Sequence, residues 1–293
     1  MDAADLRMFQ SVASTGSMSK AALALNTVQS NVTARIKSLE DEIGFALFER
    51  TNRGVTLTAA GHRLLPFATR AARLLDDAKR AVADQGTPSG TLTIGSLDTT
   101  AALHLSSVLA RYVAAYPDVD LSMKTGTTCD LIEQVLDRQL DGAYVCGPVN
   151  HPDLAVEPFT REELVILSSA AVTSFEALIR KPDLKIIVLK AGCSYRQQLE
   201  AMLARRGIIG VRLLEFGTIE AIIACVSAGV GVTLLPKALG SVWKHKHLGV
   251  HPLPNNEGEV DTVFIRHREA FASSALHAFM DMSRPPLAFA AAE

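Results

Sequence analysis

The chain has 293 residues and a formal net charge of −2, with 48% hydrophobic and 20% charged residues. This length allows two or three domains with a sizeable core, and the composition excludes a disordered chain. The charge does not by itself suggest a nucleic-acid binder, and no apolar run approaches the roughly 18–20 residues that a membrane span needs. The N-terminus carries no secretory signal and the four cysteines lack CxxC spacing, so free thiols in a reducing cytoplasm are expected.

Three short helical patterns occupy the first sixty residues. Ser17 is the candidate N-cap of the second helix, and Gly44 is the candidate C-terminal cap of the third. The third pattern, VQSNVTARIKSLEDEIG, carries an apolar stripe: Val28, Val32, Ile36, Leu39 and Ile43. Two helices joined by a short turn, with a polar outer face, form a helix-turn-helix. The stretch LFERTNRGVTLT alternates around a Gly-containing turn and predicts a two-stranded wing.

A long helix is predicted next, capped by Thr58 and reaching about residue 85. Its apolar residues recur in alternating steps of three and four, which is a heptad seam. Such a narrow seam favours pairing with a second helix, and packing within its own domain is the alternative. Pro66 is a site where this helix could bend. We assign dimerisation to Leu57, Leu64, Phe67 and Leu74. The stretch GTPSG at residues 86–90 predicts a flexible hinge and a domain boundary.

From residue 91 onward, short apolar strands alternate with helices. The predicted helices cover residues 100–115, 128–138, 194–206, 218–228 and 270–282. PDLAVEPF and ELVILSS are predicted as two separate strands. Two consecutive βαβ series imply an α/β body with two lobes, and ligands bind such folds at the carboxyl ends of strands. We place the first lobe at about residues 91–165 and 267–293, and the second at about 166–266.

The segment AALALNTVQSNVTARIKSLEDEIGFALFERTNRGVTLTAAG, with the helix and body that follow, resembles the bacterial LysR-type transcriptional regulators over nearly the whole chain. The body motifs GCSYR and SAGVGVTLLP agree with this. Ser30 departs from the pattern, since the family usually has Pro there. A second departure is Thr33-Ala34-Arg35, where Ser-Arg followed by a variable residue is commoner.

The resemblance implies an N-terminal all-α winged helix-turn-helix with a long linker helix, joined to a two-lobed α/β periplasmic-binding-protein-like effector domain. The corresponding ranges are residues 1–58, 59–90 and 91–293. It also implies a cytoplasmic homodimer or homotetramer that binds double-stranded promoter DNA and a small-molecule effector, commonly an organic acid or amino acid. RNA polymerase is a further candidate partner, and neither a cofactor nor a metal is expected.

Polar side chains on the outer face of the third helix suit the edges of bases. Gln and Asn can pair with adenine, Arg with guanine, and the Thr methyl group contacts thymine. Lysine and arginine farther along suit phosphates. A solvated helix face is the alternative for any single residue. Together with the resemblance, this assigns DNA binding to Ser17, Gln29, Ser30, Asn31, Thr33, Arg35, Lys37, Arg50 and Arg53.

Four predicted helices of the body begin with hydroxyl residues directly after a strand. Each hydroxyl could be a simple N-cap, but in a two-lobed fold these helix starts converge on one cleft and suit an anion such as a carboxylate. Arg196 could add a bidentate clamp. The predicted effector-binding residues are Thr99, Thr100, Thr127, Thr128, Cys146, Ser194, Arg196 and Thr218.

Three other functions compete with this one. Cys129, Cys146 and Cys193 lie near the predicted cleft, so a thiol- or metal-sensing regulator of the same fold is an alternative to buried packing thiols. The histidines of KHKHLGVH fit no metal-binding spacing and predict a solvated loop. An enzyme is disfavoured, because GCSYR lacks the second Gly of a nucleophile elbow and no phosphate-binding loop follows a strand. A solute-binding protein is a remote alternative that leaves the first ninety residues unexplained.

Overall fold

The computed structural model describes residues 1–51, 54–179, 183–242, 248–254 and 257–284. The chain divides into two compact units, Met1–Gln85 and Gly86–Glu293. Within the described residues, no helix combines the length and apolar character that crossing a membrane requires.

The described residues of the first unit form four helices and a two-stranded antiparallel sheet. Its elements are α1 (Ala3–Thr15), α2 (Met18–Ala24), α3 (Gln29–Ile43), β1 (Phe48–Thr51), β2 (Gly54–Leu57) and α4 (Ala59–Ala83). The predicted caps are confirmed: the Ser17 side chain accepts from the backbone N–H of Lys20, and that of Thr58 accepts from Gly61. Gly44 ends α3 in the left-handed conformation, which glycine adopts without steric cost.

The core of this unit is made by the inner faces of the first three helices and the start of the wing. Phe9, Val12, Val32, Ile36 and Leu39 are all buried there. The prediction that Val28 belongs to the same apolar stripe is wrong, because its side chain is 64% exposed. Val28 is the N-cap of α3 and has extended backbone angles, so helical periodicity does not yet fix its direction.

The long helix α4 runs without interruption through Pro66. Its inner face carries small residues, Gly61, Ala68 and Ala72, all buried. A Cβ at Gly61 would collide with the backbone carbonyl oxygen of Leu47, so glycine is required for α4 to approach the wing this closely.

The second unit has the predicted α/β character. Its helices are α5 (Asp98–Thr100), α6 (Ser106–Ala115), α7 (Thr128–Leu136), α8 (Phe175–Ile179), α9 (Ser194–Arg205), α10 (Ile219–Ser227), α11 (Leu239–Val242) and α12 (Ser274–Ser283). Its strands are β3 (Gly90–Ser96), β4 (Val119–Thr125), β5 (Gly142–Cys146), β6 (Leu154–Ser169), β7 (Lys185–Val188), β8 (Arg212–Glu215), β9 (Thr233–Pro236), β10 (Leu248–Pro252) and β11 (Glu259–His267). The helix expected at 100–115 is divided, since a π-helical turn, Ala101–Leu105, separates α5 from α6.

The long strand β6 connects two lobes within this unit. Its first part pairs with β11, and β11 pairs in turn with β5. Its last part pairs with β9 and β10. The second lobe also holds the parallel pair β7 and β8, linked to β9 through an isolated bridge between Ile186 and Val232.

Two predictions about these strands are corrected. PDLAVEPF and ELVILSS are parts of one sixteen-residue strand, because the ladder with β11 continues across residues 154–163 without a turn. The boundary at residue 266 is also wrong. Thr262 to Ile265 of β11 are hydrogen-bonded to β5, which places β11 in the first lobe, so the chain returns to that lobe before Glu259.

Strand β10 was not predicted and replaces part of the loop expected at KHKHLGVH. His251 is buried on this strand, and its Nε2 lies 2.8 Å from the Ser168 hydroxyl. Burial lowers the pKa of His251. The solvated-loop prediction is therefore wrong for His251, while His245 and His247 lie outside the described residues.

Candidate DNA-binding surface and ligand cleft

Helices α2 and α3 are joined by a tight turn at residues 25–28. Asn26 adopts a positive φ of 50°, and the N–H of Thr27 donates to the carbonyl of Ala22. Asn tolerates this conformation better than most residues, because its short side chain can bond locally. The turn fixes the direction of α3 relative to α2.

The first turns of α3 present the predicted polar residues to solvent. Gln29, Ser30, Asn31 and Lys37 are exposed, and Thr33 is half-buried. None of these side chains is needed for the core, which lies on the opposite face of α3. Their placement suits contact with a groove of DNA.

Two of these side chains are held by neighbours. The Ser19 hydroxyl donates to Oε1 of Gln29 at 2.8 Å, and the Asn31 amide donates to the Thr27 hydroxyl at 3.0 Å. Both hydrogen bonds reduce the conformations that the amide groups can adopt before they meet a partner.

The prediction that Arg35 shares an outer face with Gln29 and Thr33 is wrong. At 3.6 residues per turn, Arg35 points roughly 200° away from Thr33. Its guanidinium bonds Asp5 at 2.8 Å and Asp2 at 3.4 Å, both at the start of α1. The side chain therefore ties α3 to α1. A contact between Arg35 and DNA stays a prediction, and it requires Arg35 to break its bonds to Asp2 and Asp5.

The wing is anchored to the helix-turn-helix. The Glu40 carboxylate accepts from the N–H groups of Leu47 and Phe48, where β1 begins. At the other strand, the N–H of Val55 donates to the carbonyl of Gly16. A Cβ on Gly54 would lie only 2.8 Å from that same oxygen, so the chain can pass here only with glycine.

The remaining predicted DNA contacts divide into two groups. Ser17 is half-buried and caps α2. Arg50 lies on β1, but its side chain is outside the described part of the chain, and Arg53 is wholly outside it.

Sequence reasoning missed two exposed apolar side chains beside the turn between α2 and α3, Leu23 at 78% and Val28 at 64% exposure.

A cavity of about 160 Å³ opens between the two lobes of the second unit. Of the eight predicted effector-binding residues, only Thr99 and Thr127 line it. Cys193, which was predicted near the cleft as a candidate sensing thiol, also lines it. The remaining lining residues were not predicted: Leu97, Asp98, Gly126, Leu189, Lys190, Tyr195, Glu215, Phe216 and Gly217. Most of them lie at strand ends or next to helix starts, which is the only signal that the sequence offered.

The other predicted hydroxyls have structural roles or point elsewhere. Thr128 accepts from the N–H of Cys146 and from the Ser194 hydroxyl, which reaches it across the cleft at 2.9 Å. Thr218 caps α10. Thr100 is fully buried, and its hydroxyl has no hydrogen-bond partner among the described residues. None of these five residues lines the cavity.

The predicted clamp by Arg196 is also corrected. Its guanidinium bonds Glu215 at 2.7 Å and Glu200 at 3.0 Å and also donates to the carbonyl of Leu189. Arg196 does not line the cavity. Two carboxylates thus already neutralise the cation on which an incoming carboxylate was expected to rely.

Polar contacts join the lobes around the cavity. Lys190 pairs with Asp130 at 2.7 Å, and Tyr195 places its hydroxyl 3.2 Å from both Thr99 and the buried carboxylate of Glu162. Asp98, at the rim, has no ion-pair partner among the described residues. The cavity therefore offers an exposed carboxylate that makes no ion-pair contact with the described residues, and an ammonium group, beside an apolar wall.

The thiols near the cleft have environments that disfavour reactivity. Burial raises the pKa of Cys146 to about 11 and raises that of Cys193. Cys129 is exposed. Since the thiolate is the reactive form, the two buried thiols are poor nucleophiles at neutral pH. Among the described residues, no group of three or more His, Cys, Asp or Glu is arranged to hold a metal ion.

Known proteins match both units of the chain. The family described as "Bacterial regulatory helix-turn-helix protein, lysR family" matches residues 3–62, and "LysR substrate binding domain" matches residues 85–287. The HTH-type transcriptional regulator YofA of Bacillus subtilis is 43% identical over 282 residues, which cover 96% of this chain and 98% of the relative. GltR of the same organism is 40% identical over 280 residues, or 95% of each chain.

Solved structures with low sequence identity share the fold. A full-length OxyR variant from Pseudomonas aeruginosa is 20% identical with a TM-score of 0.71, covering 97% of this chain and 94% of its own. Full-length CbnR in complex with its target DNA is 21% identical with a TM-score of 0.64, covering 97% and 99%. The two family matches and the curated relatives decide the assignment: the chain belongs to the LysR family of bacterial transcriptional regulators, DNA-binding proteins with an effector-binding domain rather than enzymes.

Proposed function

We propose that this protein binds a two-fold-related promoter site in the cytoplasm as a homodimer or homotetramer, and that a small amino acid in the cleft controls it. The exposed polar start of α3 is the observation that carries the DNA-binding part. In the proposed complex, α3 enters the major groove while the wing reaches the backbone or the adjacent minor groove. RNA polymerase is a candidate partner of the bound regulator.

The exposed stripe on α4 supports pairing of two copies. Phe67 is 67% exposed, Leu74 is 60% exposed and Val82 is 88% exposed, while the buried inner face of α4 uses other residues. Leu57 and Leu64 are half-buried and pack against the core of their own unit. The proposed dimer contact is therefore carried mainly by Phe67 and Leu74, with Leu64 at its edge.

A charge placed on the stripe tests this contact. Leu74→Glu would bury an unpaired carboxylate in the pair, so we expect dissociation to monomers and loss of operator binding. Lys79→Glu is the matched control, because it adds the same side chain to an exposed position off the stripe. Analytical ultracentrifugation measures the oligomeric state of both variants. A Leu74→Glu protein that stays dimeric would rule out the proposed dimer contact on α4.

The charges around the cavity favour an amino acid over a simple carboxylate. Asp98 can hold an ammonium group. Lys190 uses one of its three N–H donors on Asp130, which leaves two for a carboxylate. Leu97, Leu189 and Phe216 provide an apolar wall for a side chain. A dicarboxylate would place its second carboxylate beside Asp98, and these like charges repel, whereas Lys190 can pair with the first carboxylate.

A thermal-shift screen of the full-length protein tests this proposal. We expect α-amino acids with apolar side chains to raise the unfolding temperature and the matching deaminated acids to have little effect. Asp98→Asn should weaken amino-acid binding about 10- to 100-fold in calorimetry, since a charge-assisted hydrogen bond contributes about 1.5–3 kcal/mol. Equal binding of amino acids and deaminated acids would contradict the assignment.

A thiol sensor is the second candidate. Its support is Cys129, an exposed residue in the first turn of α7. The raised pKa values of Cys146 and Cys193 weigh against it. Replacing Cys129 with Ser, and Cys193 with Ser in a second variant, distinguishes the two functions, because only a thiol sensor would lose an oxidant-dependent change in DNA binding.

A further inference from the structure

The hydrogen bond between Ser19 and Gln29 joins the two helices of the helix-turn-helix at their outer surface. Ser19 Oγ donates to Gln29 Oε1 at 2.8 Å, and both side chains are exposed. Ser19 has no capping role, because Ser17 caps α2. Gln29 is the first residue of α3 and also caps nothing, since the N-cap position belongs to Val28. The contact therefore acts on the orientation of the Gln29 amide.

The orientation of this amide decides which base edge it can meet. A free glutamine presents a carbonyl acceptor and an NH₂ donor together, which complements the N6–H donor and N7 acceptor of adenine. Ser19 takes one of the two lone pairs of the carbonyl oxygen and holds that oxygen against α2. The NH₂ group is bonded to the same planar carbon, so it points away from the Ser19 contact.

We propose that Ser19 is a positioning residue that holds the Gln29 carbonyl oxygen against α2, so that Gln29 meets DNA through its NH₂ group and its preference shifts from adenine to guanine. Guanine presents two acceptors, N7 and O6, in the major groove, whereas adenine presents one acceptor beside a donor. An N–H group that meets the N6 amino group of adenine gains no hydrogen bond, so adenine is disfavoured. This inference rests on the proposed docking of α3 in the major groove.

The experiment uses the full-length protein and a randomised duplex DNA library. Wild-type protein first selects its preferred site from the library. For each position of that site, four duplexes that differ only in the base pair at that position are then compared by competition binding. Gln29→Ala identifies the base that Gln29 reads, as the position where discrimination is lost. Ser19→Ala and the double variant Ser19→Ala/Gln29→Ala are measured on the same duplexes. Ser14→Ala is the matched control, since it removes an exposed hydroxyl from α1.

The expected pattern is specific to orientation. Wild-type protein should prefer guanine over adenine about tenfold at the Gln29 position, as a single good base contact allows. Ser19→Ala should bring the two bases to near equality while total affinity for the best site changes little. In the Gln29→Ala background, Ser19→Ala should change nothing further, and Ser14→Ala should match wild type throughout.

Three outcomes would overturn the proposal, and they separate it from the docking on which it rests. If Gln29→Ala alters discrimination at one position but Ser19→Ala does not, α3 reads DNA and Ser19 does not orient it. If wild-type protein prefers adenine at that position, the carbonyl oxygen of Gln29 also reaches the base and Ser19 does not hold it against α2. If Gln29→Ala leaves every position unchanged, Gln29 reads no base, and the docking of the start of α3 fails as well.

Discussion

The hydroxyl of Tyr195 is the contact whose removal best tests the packing of the two lobes. Tyr195 lies on α9 of the second lobe and is 4% exposed. Its hydroxyl lies 3.2 Å from Glu162 Oε2 and 3.2 Å from the Thr99 hydroxyl, both in the first lobe. Tyr195→Phe removes both hydrogen bonds while keeping the ring and its packing.

The expected loss of stability depends on which hydrogen bonds Glu162 and Thr99 keep after the substitution. Glu162 keeps His104 at 2.8 Å and the Thr262 hydroxyl at 3.4 Å. Thr99 is buried and would lose its partner. A hydrogen bond to a charged group contributes about 1.5–3 kcal/mol, and an unsatisfied buried hydroxyl costs a comparable amount. Because Glu162 remains partly satisfied, we expect the free energy of unfolding to fall by about 1.5–3 kcal/mol.

Urea unfolding of the full-length protein measures this change. All four tyrosines of the chain lie in the second unit, so their near-ultraviolet circular dichroism follows the unfolding of that unit. With a slope of about 2–3 kcal/mol/M, the midpoint should fall by roughly 0.5–1.5 M at an unchanged slope. Adding Thr99→Val removes the second partner, so the double variant should lose less than the sum of the single losses.

Tyr116→Phe is the control for this series. Tyr116 is half-buried in the same unit, and its hydroxyl has no hydrogen-bond partner among the described residues. The substitution should leave the midpoint within error of wild type. A Tyr195→Phe protein with an equally unchanged midpoint would refute the hydrogen bonds across the cleft.

Three further outcomes are expected. Gly61→Ala should destabilise the first unit by about 1–3 kcal/mol in calorimetry, because the added methyl group meets a backbone carbonyl; an unchanged transition would contradict that close approach. In iodoacetamide labelling at pH 7.5 followed by mass spectrometry, Cys129 should react first and Cys146 only after unfolding, since burial raises the pKa of Cys146 to about 11; equal rates in the folded protein would contradict its burial. Lys190 lowers the pKa of Asp130 below its ordinary 3.8, so this pair stabilises the fold above pH 3.8 and the stabilisation is lost as the pH falls through the lower, folded-state pKa. Lys190→Gln should therefore cost about 0.5 kcal/mol at pH 7, where the half-exposed pair is screened, and less at pH 3 in urea titrations; an equal cost at both pH values would exclude the ion pair.

The local features of the first unit were readable from sequence because neighbours within one helical turn determine them. Ser17 and Thr58 cap the helices that follow them, and Gly44 ends α3 where only a left-handed residue fits. Periodicity placed Val32 and Ile36 in the core, which left the polar residues of α3 outside. The fold class and the candidate DNA-binding surface follow from such patterns.

Pairings between distant residues were decided only by the tertiary structure. Arg35 was expected at DNA, but Asp5, thirty residues away, binds it. Arg196 was expected in the cleft, but Glu215 binds it from β8. A charged side chain reaches any partner that folding brings within about 4 Å, and no local pattern records which partner that is.

The residues that line the cleft could likewise not be identified from local sequence patterns. Two of the predicted hydroxyl residues, Thr99 and Thr127, line the cavity, yet Asp98 and Lys190, which add charges to it, are 92 positions apart in the chain and carry no motif. Strand β11 likewise reads as an ordinary apolar strand, and only its hydrogen bonds to β5 show that it belongs to the first lobe. Sequence periodicity determines which face of an element is buried, whereas the packing of elements against each other determines which side chains meet at a site.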